Sequence, residues 1–211
     1  MRHFYTPEGK LVAEMPMSTK EGMRPTTIAD ARKLGLFPSV TTVLQMVDKP
    51  GLTTWLVEQG IKAAFALPIS FEEWVKKGLP EEPLEEKVAR AKADSERYTT
   101  WAADFGTDVH AGIAAGLSGE QHWFKILGAK EIVEGFWPWF HANGFVTAEV
   151  EHVFVDKQQG YAGCIDWLGT WQGAPAIVDW KTQDIETPKQ AVFYEEVAYQ
   201  LAAYDCGYPP M

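Results

Sequence analysis

The chain has 211 residues, a mass of 23.6 kDa and a formal net charge of −10, from 19 Lys and Arg against 29 Asp and Glu. That length makes one domain and buries roughly 70 % of the unfolded surface without staples. No apolar run is long enough for a transmembrane helix, and two cysteines are too few for a disulfide scaffold, a four-cysteine zinc site or an iron–sulfur cluster. The opening Met1 to Glu8 has no apolar stretch of the secretory kind, so the cytoplasm is the expected compartment and no membrane partner is expected.

The charge is uneven. Residues 1–105 carry 14 basic and 15 acidic groups, and residues 106–211 carry 5 and 14. All five arginines (Arg2, Arg24, Arg32, Arg90, Arg97) lie in the first half. That asymmetry suits different partners for the two halves, and equally a first half whose helical surfaces are solvated by mixed charge.

In chain order, residues 2–14 alternate weakly and read as a short hairpin or irregular arm turning at Gly9-Lys10. Ser39 is placed to cap a helix over Val40 to Val47, which Pro50-Gly51 ends. Leu52 to Leu67 resumes a helical pattern, and Ser70-Phe71-Glu72-Glu73 has capping-box spacing. Pro83 to Leu117 is the longest helical pattern, with Gly106 as a candidate interruption. Glu131 to Ala142 is another helix, with Pro138 counting against its middle.

The character then changes. Phe145 to Asp156, Tyr161 to Trp171 and Pro175 to Lys181 are rich in β-branched and aromatic residues. Turns at Gln158-Gln159-Gly160 and Gln172-Gly173 make them an antiparallel meander. A final helix is expected from about Pro188 to Cys206. The result is one α/β domain over 1–211. Residues 1–143 form a mostly helical lobe and 144–211 a strand-strand-strand-helix core.

Chemistry gathers in that core. Side chains two apart on a strand share a face, so Asp179 and Lys181 point together. Asp166 lies on the preceding strand and meets Asp179 if the hairpin pairs in register. Glu149 and Glu151 lie two apart on the strand before. Carboxylates and a lysine so placed suit a hard divalent cation and attack on a phosphodiester. They also suit a surface ion pair beside a turn carboxylate.

The spacing Glu151-x11-Gly163-x2-Asp166-x12-Asp179-Trp180-Lys181-Thr182 resembles the active-site signature of the PD-(D/E)XK nuclease superfamily, in its RecB-type exonuclease branch. Four further segments resemble that branch in the same order: Pro38 to Leu44, Phe105-Gly106-Thr107-Asp108-Val109-His110, Gly160-Tyr161-Ala162-Gly163-Cys164-Ile165-Asp166, and Tyr199-Gln200-Leu201-Ala202-Ala203-Tyr204. The likeness runs from about residue 38 to 205.

The resemblance implies a restriction-endonuclease-like core: a mixed central sheet flanked by helices, with an N-terminal helical lobe. It implies a metal-dependent DNA exonuclease using Mg²⁺ or Mn²⁺, with no iron–sulfur cluster. An endonuclease of the same superfamily and a non-cleaving DNA-binding module are the alternatives. Asp166 and Asp179 would be metal ligands and Lys181 the catalytic lysine. Glu151 would touch the metal directly or through water. His110 and the Trp180 carbonyl would complete the shell.

Gln200 and Tyr204 would reach the substrate side, with Thr182, Arg90 and Arg97 as further substrate contacts. DNA is the expected partner, with a recombination protein as a second candidate. Periodicity does not separate Glu149 from Glu151; only the spacing to Gly163 favours Glu151. Cys164 reads as a small buried thiol. His122, His141 and His152 read as structural. Trp55, Trp74 and Trp101 are candidates for stacking single-stranded bases. Relatives usually continue with further strands beyond the Gln200 helix. This chain stops at Met211, which leaves a compact form and a truncated one both open.

Overall fold

A computed structural model describes residues 2–17, 21–46, 50–65, 84–185, 187, 189 and 191–208. The expected capping box at Ser70, Trp74, Val47, Leu67, Pro83 and Pro188 lie outside those residues. The described chain forms two compact units, residues 1–48 with 108–211, and residues 49–107.

The larger unit opens with three short strands, β1 (Phe4–Tyr5), β2 (Glu14–Pro16) and β3 (Met23–Pro25). Helix α1 (Ile28–Leu34) follows, capped by Thr27: its hydroxyl takes the Asp30 N–H and its own N–H goes to the Asp30 carboxylate. Strand β4 (Phe37–Pro38) pairs with β1, and α2 (Val40–Leu44) starts from Ser39, whose Oγ accepts from the Thr42 N–H at 3.0 Å. The expected cap is present, and the helix ends at Leu44. Ser39 also forms a parallel bridge to Ala162. Two segments that carry the family resemblance therefore touch near their starts, at residues 123 positions apart in the chain.

Helix α3 (Pro50–Phe65) begins at Pro50 itself, where proline is tolerated in a first turn. Helix α4 (Leu84–Leu117) runs 34 residues straight through Gly106. One glycine costs a helix only about 1 kcal/mol, too little to stop so long a run. In the smaller unit, Trp55, Tyr98, Trp101 and Phe105 form a chain of tilted rings 5.4–6.0 Å apart.

Helix α5 (Ala129–Ala142) contains Pro138 and is not ended by it. Its Phe140 is buried and stacks on Phe145 at 5.0 Å, while Phe136 and Trp139 meet Trp180 edge-on. That aromatic packing offsets one missing backbone hydrogen bond.

The meander forms, but its third strand ends at Val178 rather than at the expected Lys181, so Asp179 and Lys181 follow the strand instead of lying on it. Strands β5 (Phe145–Asp156), β6 (Tyr161–Trp171) and β7 (Ala174–Val178) pair antiparallel in the order β5-β6-β7. The two residues between β6 and β7, Gln172 and Gly173, both have positive φ, which matches a tight hairpin turn. All strand pairing in the described sheets is antiparallel, where a mixed sheet was expected; the parallel contact is the single Ser39–Ala162 bridge.

Helix α6 (Glu195–Gly207) begins seven residues later than expected and packs on the meander. Gly163 permits that approach: a Cβ there would sit 2.8 Å from Phe154 Cζ and 2.9 Å from Tyr204 Cε1. Val40, Phe154, Ile165, Leu168 and Tyr204 form the core between α2, the sheet and α6.

Candidate active site

Register decides where the acids go. Trp167 pairs with Val178, the last pair of that ladder, so Asp166 and Asp179 each lie one residue beyond it. Val150 pairs with Trp167 and His152 with Ile165, so Glu151 stands opposite Asp166 on the other side. Glu151 on β5, Asp166 on β6 and Asp179, one residue past the end of β7, thus form a row of acids in which the charges of Asp179 and Glu151 both act on Asp166.

The row is held by named contacts. The Trp180 N–H donates to Asp166 Oδ2 at 2.8 Å. His110, brought in by α4, places Nδ1 3.3 Å from the same oxygen. Lys181 meets Asp179 Oδ2 as an ion pair. Gln200 on α6 joins three of the expected residues: Nε2 donates to Asp179 Oδ1 at 2.7 Å, Oε1 accepts from Lys181 Nζ at 3.2 Å, and Nε2 lies 2.7 Å from the Tyr204 hydroxyl. Gln200 and Tyr204 are buried, one turn apart on one face.

Burial and the Asp179 charge push the Asp166 carboxyl up to about 7, against the Trp180 N–H and the Lys181 ammonium. Burial also lowers His110, while Asp179 and a hydrogen bond to the Trp180 backbone favour its charged form. Asp179 is 4 % exposed at its side chain, and its Oδ2 has no hydrogen bond of proper direction despite the Lys181 contact. Two crowded acids, one with an oxygen unspent, form an anionic spot that a hard divalent cation would relieve. Among the described residues no group of three or more His, Cys, Asp and Glu side chains could hold a metal ion as they stand. The residue types suit a hard cation, but the Lys181 ammonium sits against Asp179 Oδ2.

No family model, curated protein or solved structure matches this chain.

Glu149 and Glu151 part company. Glu149 is half-exposed and binds His152 Nδ1 at 2.5 Å, just past the irregularity between Thr147 and Glu149. Glu151 has a φ of 50° and accepts from the Cys164 thiol at 3.3 Å. Burial first, then Glu151, pushes the Cys164 thiol well above its ordinary range, so it stays a neutral donor. Of the two acids, Glu151 is the one that shares its surroundings with Asp166.

The remaining expected contacts are placed less closely. Thr182 is exposed just after Lys181. Arg90 and Arg97 lie in the smaller unit, both in ion pairs with Asp94, and Arg90 also donates to the Ala63 carbonyl. Trp55 and Trp101 belong to that unit's ring chain.

Two residues were not read from the sequence. Asp108 is buried two positions before His110 and accepts from His122 at 2.7 Å and from the N–H groups of Lys125 and Ile126 at 2.7 and 2.8 Å. It locks the segment after α4 onto the helix that carries His110. Tyr5, from the N-terminal arm, is buried in the core, and that burial raises its phenol. His141 stacks on Trp137, and His152 packs on Tyr208, as structural histidines do.

Proposed function

We propose that the chain is a divalent-metal-dependent deoxyribonuclease, acting as an exonuclease on DNA with the meander and α6 serving as a restriction-endonuclease-like core. The observation that carries this reading is that Asp166 and Asp179 each lie one residue beyond the last β6–β7 pair, with Lys181 in contact with both Asp179 and Gln200. The matched segments of the sequence support it independently.

In this reading Asp166, Asp179, Glu151, His110 and the Trp180 carbonyl hold Mg²⁺ or Mn²⁺. A cation bound there supplies charge neutralisation at the phosphate and a more acidic water. Lys181 orients the attacking water and steadies charge developing on the phosphate oxygens. Gln200 aims the Lys181 ammonium and occupies Asp179 Oδ1, while the ammonium itself sits against the second oxygen. Arg90, Arg97 and Thr182 contribute backbone contacts to the strand. The reading takes DNA in the cytoplasm as the substrate and a recombination protein as a second partner; no helix among the described residues is long and apolar enough to cross a membrane.

The test is digestion of linear and circular DNA in Mg²⁺ and in Mn²⁺. Loss of linear DNA with survival of the circle supports an exonuclease, and cleavage of both supports an endonuclease. Binding without cleavage of either supports a non-cleaving module.

A further inference from the structure

The two oxygens of Asp179 are held differently. Oδ1 accepts a directed hydrogen bond from Gln200 Nε2 at 2.7 Å. Oδ2 meets the Lys181 ammonium as an ion pair and makes no hydrogen bond among the described residues. The directed bond of that ammonium goes instead to Gln200 Oε1, at 3.2 Å. Exposure differs as well: the Asp179 side chain is 4 % exposed and the Lys181 side chain 41 %. Burial fixes the acid, while the lysine has room to swing on a stem of rotatable bonds.

Charge is unequal across the site. The Asp179 and Glu151 carboxylates both act on Asp166, and the Lys181 ammonium opposes them. One ammonium offsets one negative charge of that row. A divalent cation offsets two, and carboxylate oxygens are the ligands such an ion takes. An ammonium seated on Asp179 Oδ2 keeps a cation off the same oxygen.

We infer that Lys181 is an internal counter-ion of this site: its ammonium competes with a divalent cation for Asp179 Oδ2, so that cation binding and release of the lysine are a single exchange. This rests on the metal-dependent part of the nuclease reading above. Gln200 Oε1 keeps hold of the released ammonium, beside the acids and able to meet a phosphate oxygen. Lys181 thus steadies buried Asp179 before the exchange and turns to the substrate after it.

The experiment is calorimetric titration of the full chain with MnCl₂, comparing the parent with Lys181→Gln, Lys181→Met and Lys157→Met, beside melts with and without the ion. Lys181→Met removes the competitor. It is expected to tighten Mn²⁺ binding about tenfold, the lower end for a charged contact because the lysine is partly open to water, even as it slows DNA cleavage. Lys181→Gln spares folding because its amide can still donate to Asp179, and it should tighten binding by a smaller factor. Without Mn²⁺, Lys181→Met should melt below the parent, and saturating Mn²⁺ should raise its Tm by more than it raises the parent's. Lys157 lies in the exposed turn between β5 and β6, so Lys157→Met should bind Mn²⁺ as the parent does. Parental or weaker binding in both Lys181 variants overturns the inference, as does an equal gain in Lys157→Met, which would be an effect of net charge. Tighter binding in the Lys181 variants of a parent that cuts no DNA keeps the inference and sinks the nuclease reading. No Mn²⁺ binding by any of the four sinks both.

Discussion

Gln200 on α6 donates to Asp179 Oδ1 at 2.7 Å, although 21 residues separate them in the chain. The same carboxamide accepts from Lys181, so one buried side chain fixes the acid and the base relative to each other. Gln200→Leu removes both contacts and leaves buried Asp179 short of a donor. It should cost about 1–3 kcal/mol of stability and lower DNA hydrolysis by more than the loss of folded protein explains. Thermal melts beside initial rates at a temperature where both proteins are folded separate the two effects.

The divergence of Glu149 and Glu151 makes a discriminating pair. Glu151→Gln should reduce hydrolysis and weaken divalent-cation binding measured by calorimetry. Glu149→Gln loses only the contact to His152 and should leave both near the parent. Equal losses in the two variants would argue that either acid serves, and that the irregular backbone at Glu151 has no consequence.

Gly163 tests the packing that brings α6 to the sheet. Gly163→Ala drives a methyl into Phe154 and Tyr204, an overpacking cost of about 1–3 kcal/mol. Tm should fall by roughly 2–4 °C for each kcal/mol in a chain of this size. A melt unchanged from the parent would mean that the helix sits farther off than described.

Asp108 sets an acid limit. Burial raises its carboxyl, but the bonds from His122, Ile126 and Lys125 outweigh it and hold the group below the usual range. A carboxylate lowered on folding contributes stability above its unfolded value of about 3.9, lost as pH falls through the folded one. Stability should therefore drop on acidification below about pH 4, and Asp108→Asn should flatten that drop while lowering stability at neutral pH. Urea titrations at a series of pH values read both effects. An unchanged acid slope in the variant would remove Asp108 from the account.

Much of the core was legible because its signals are local. The turns at Gly160 and Gln172-Gly173, and the alternation between them, set β5, β6 and β7, and with them the row of Glu151, Asp166 and Asp179. Ser39 announced its helix through capping chemistry alone. Gly106 and Pro138 misled because single-residue penalties are small beside the packing of a long helix face. The start of α6 was read too early because the residues from Pro188 onward carry no periodic pattern strong enough to mark a boundary. Asp108 with His122, and Asp108 with the N–H groups of Lys125 and Ile126, were invisible for another reason. Their partners are set by tertiary packing between segments, which no spacing along the chain encodes.

The central claim is that Asp166, Asp179 and Lys181 cut DNA with a divalent cation. Its most direct measurement is digestion of end-labelled linear DNA in Mn²⁺ by the parent, Asp179→Asn and Lys181→Ala, each shown to be folded. The account predicts cleavage by the parent, abolished by chelator and reduced by roughly 10²-fold or more in each variant. Cleavage at the parental rate by either variant, or none by the parent, contradicts it.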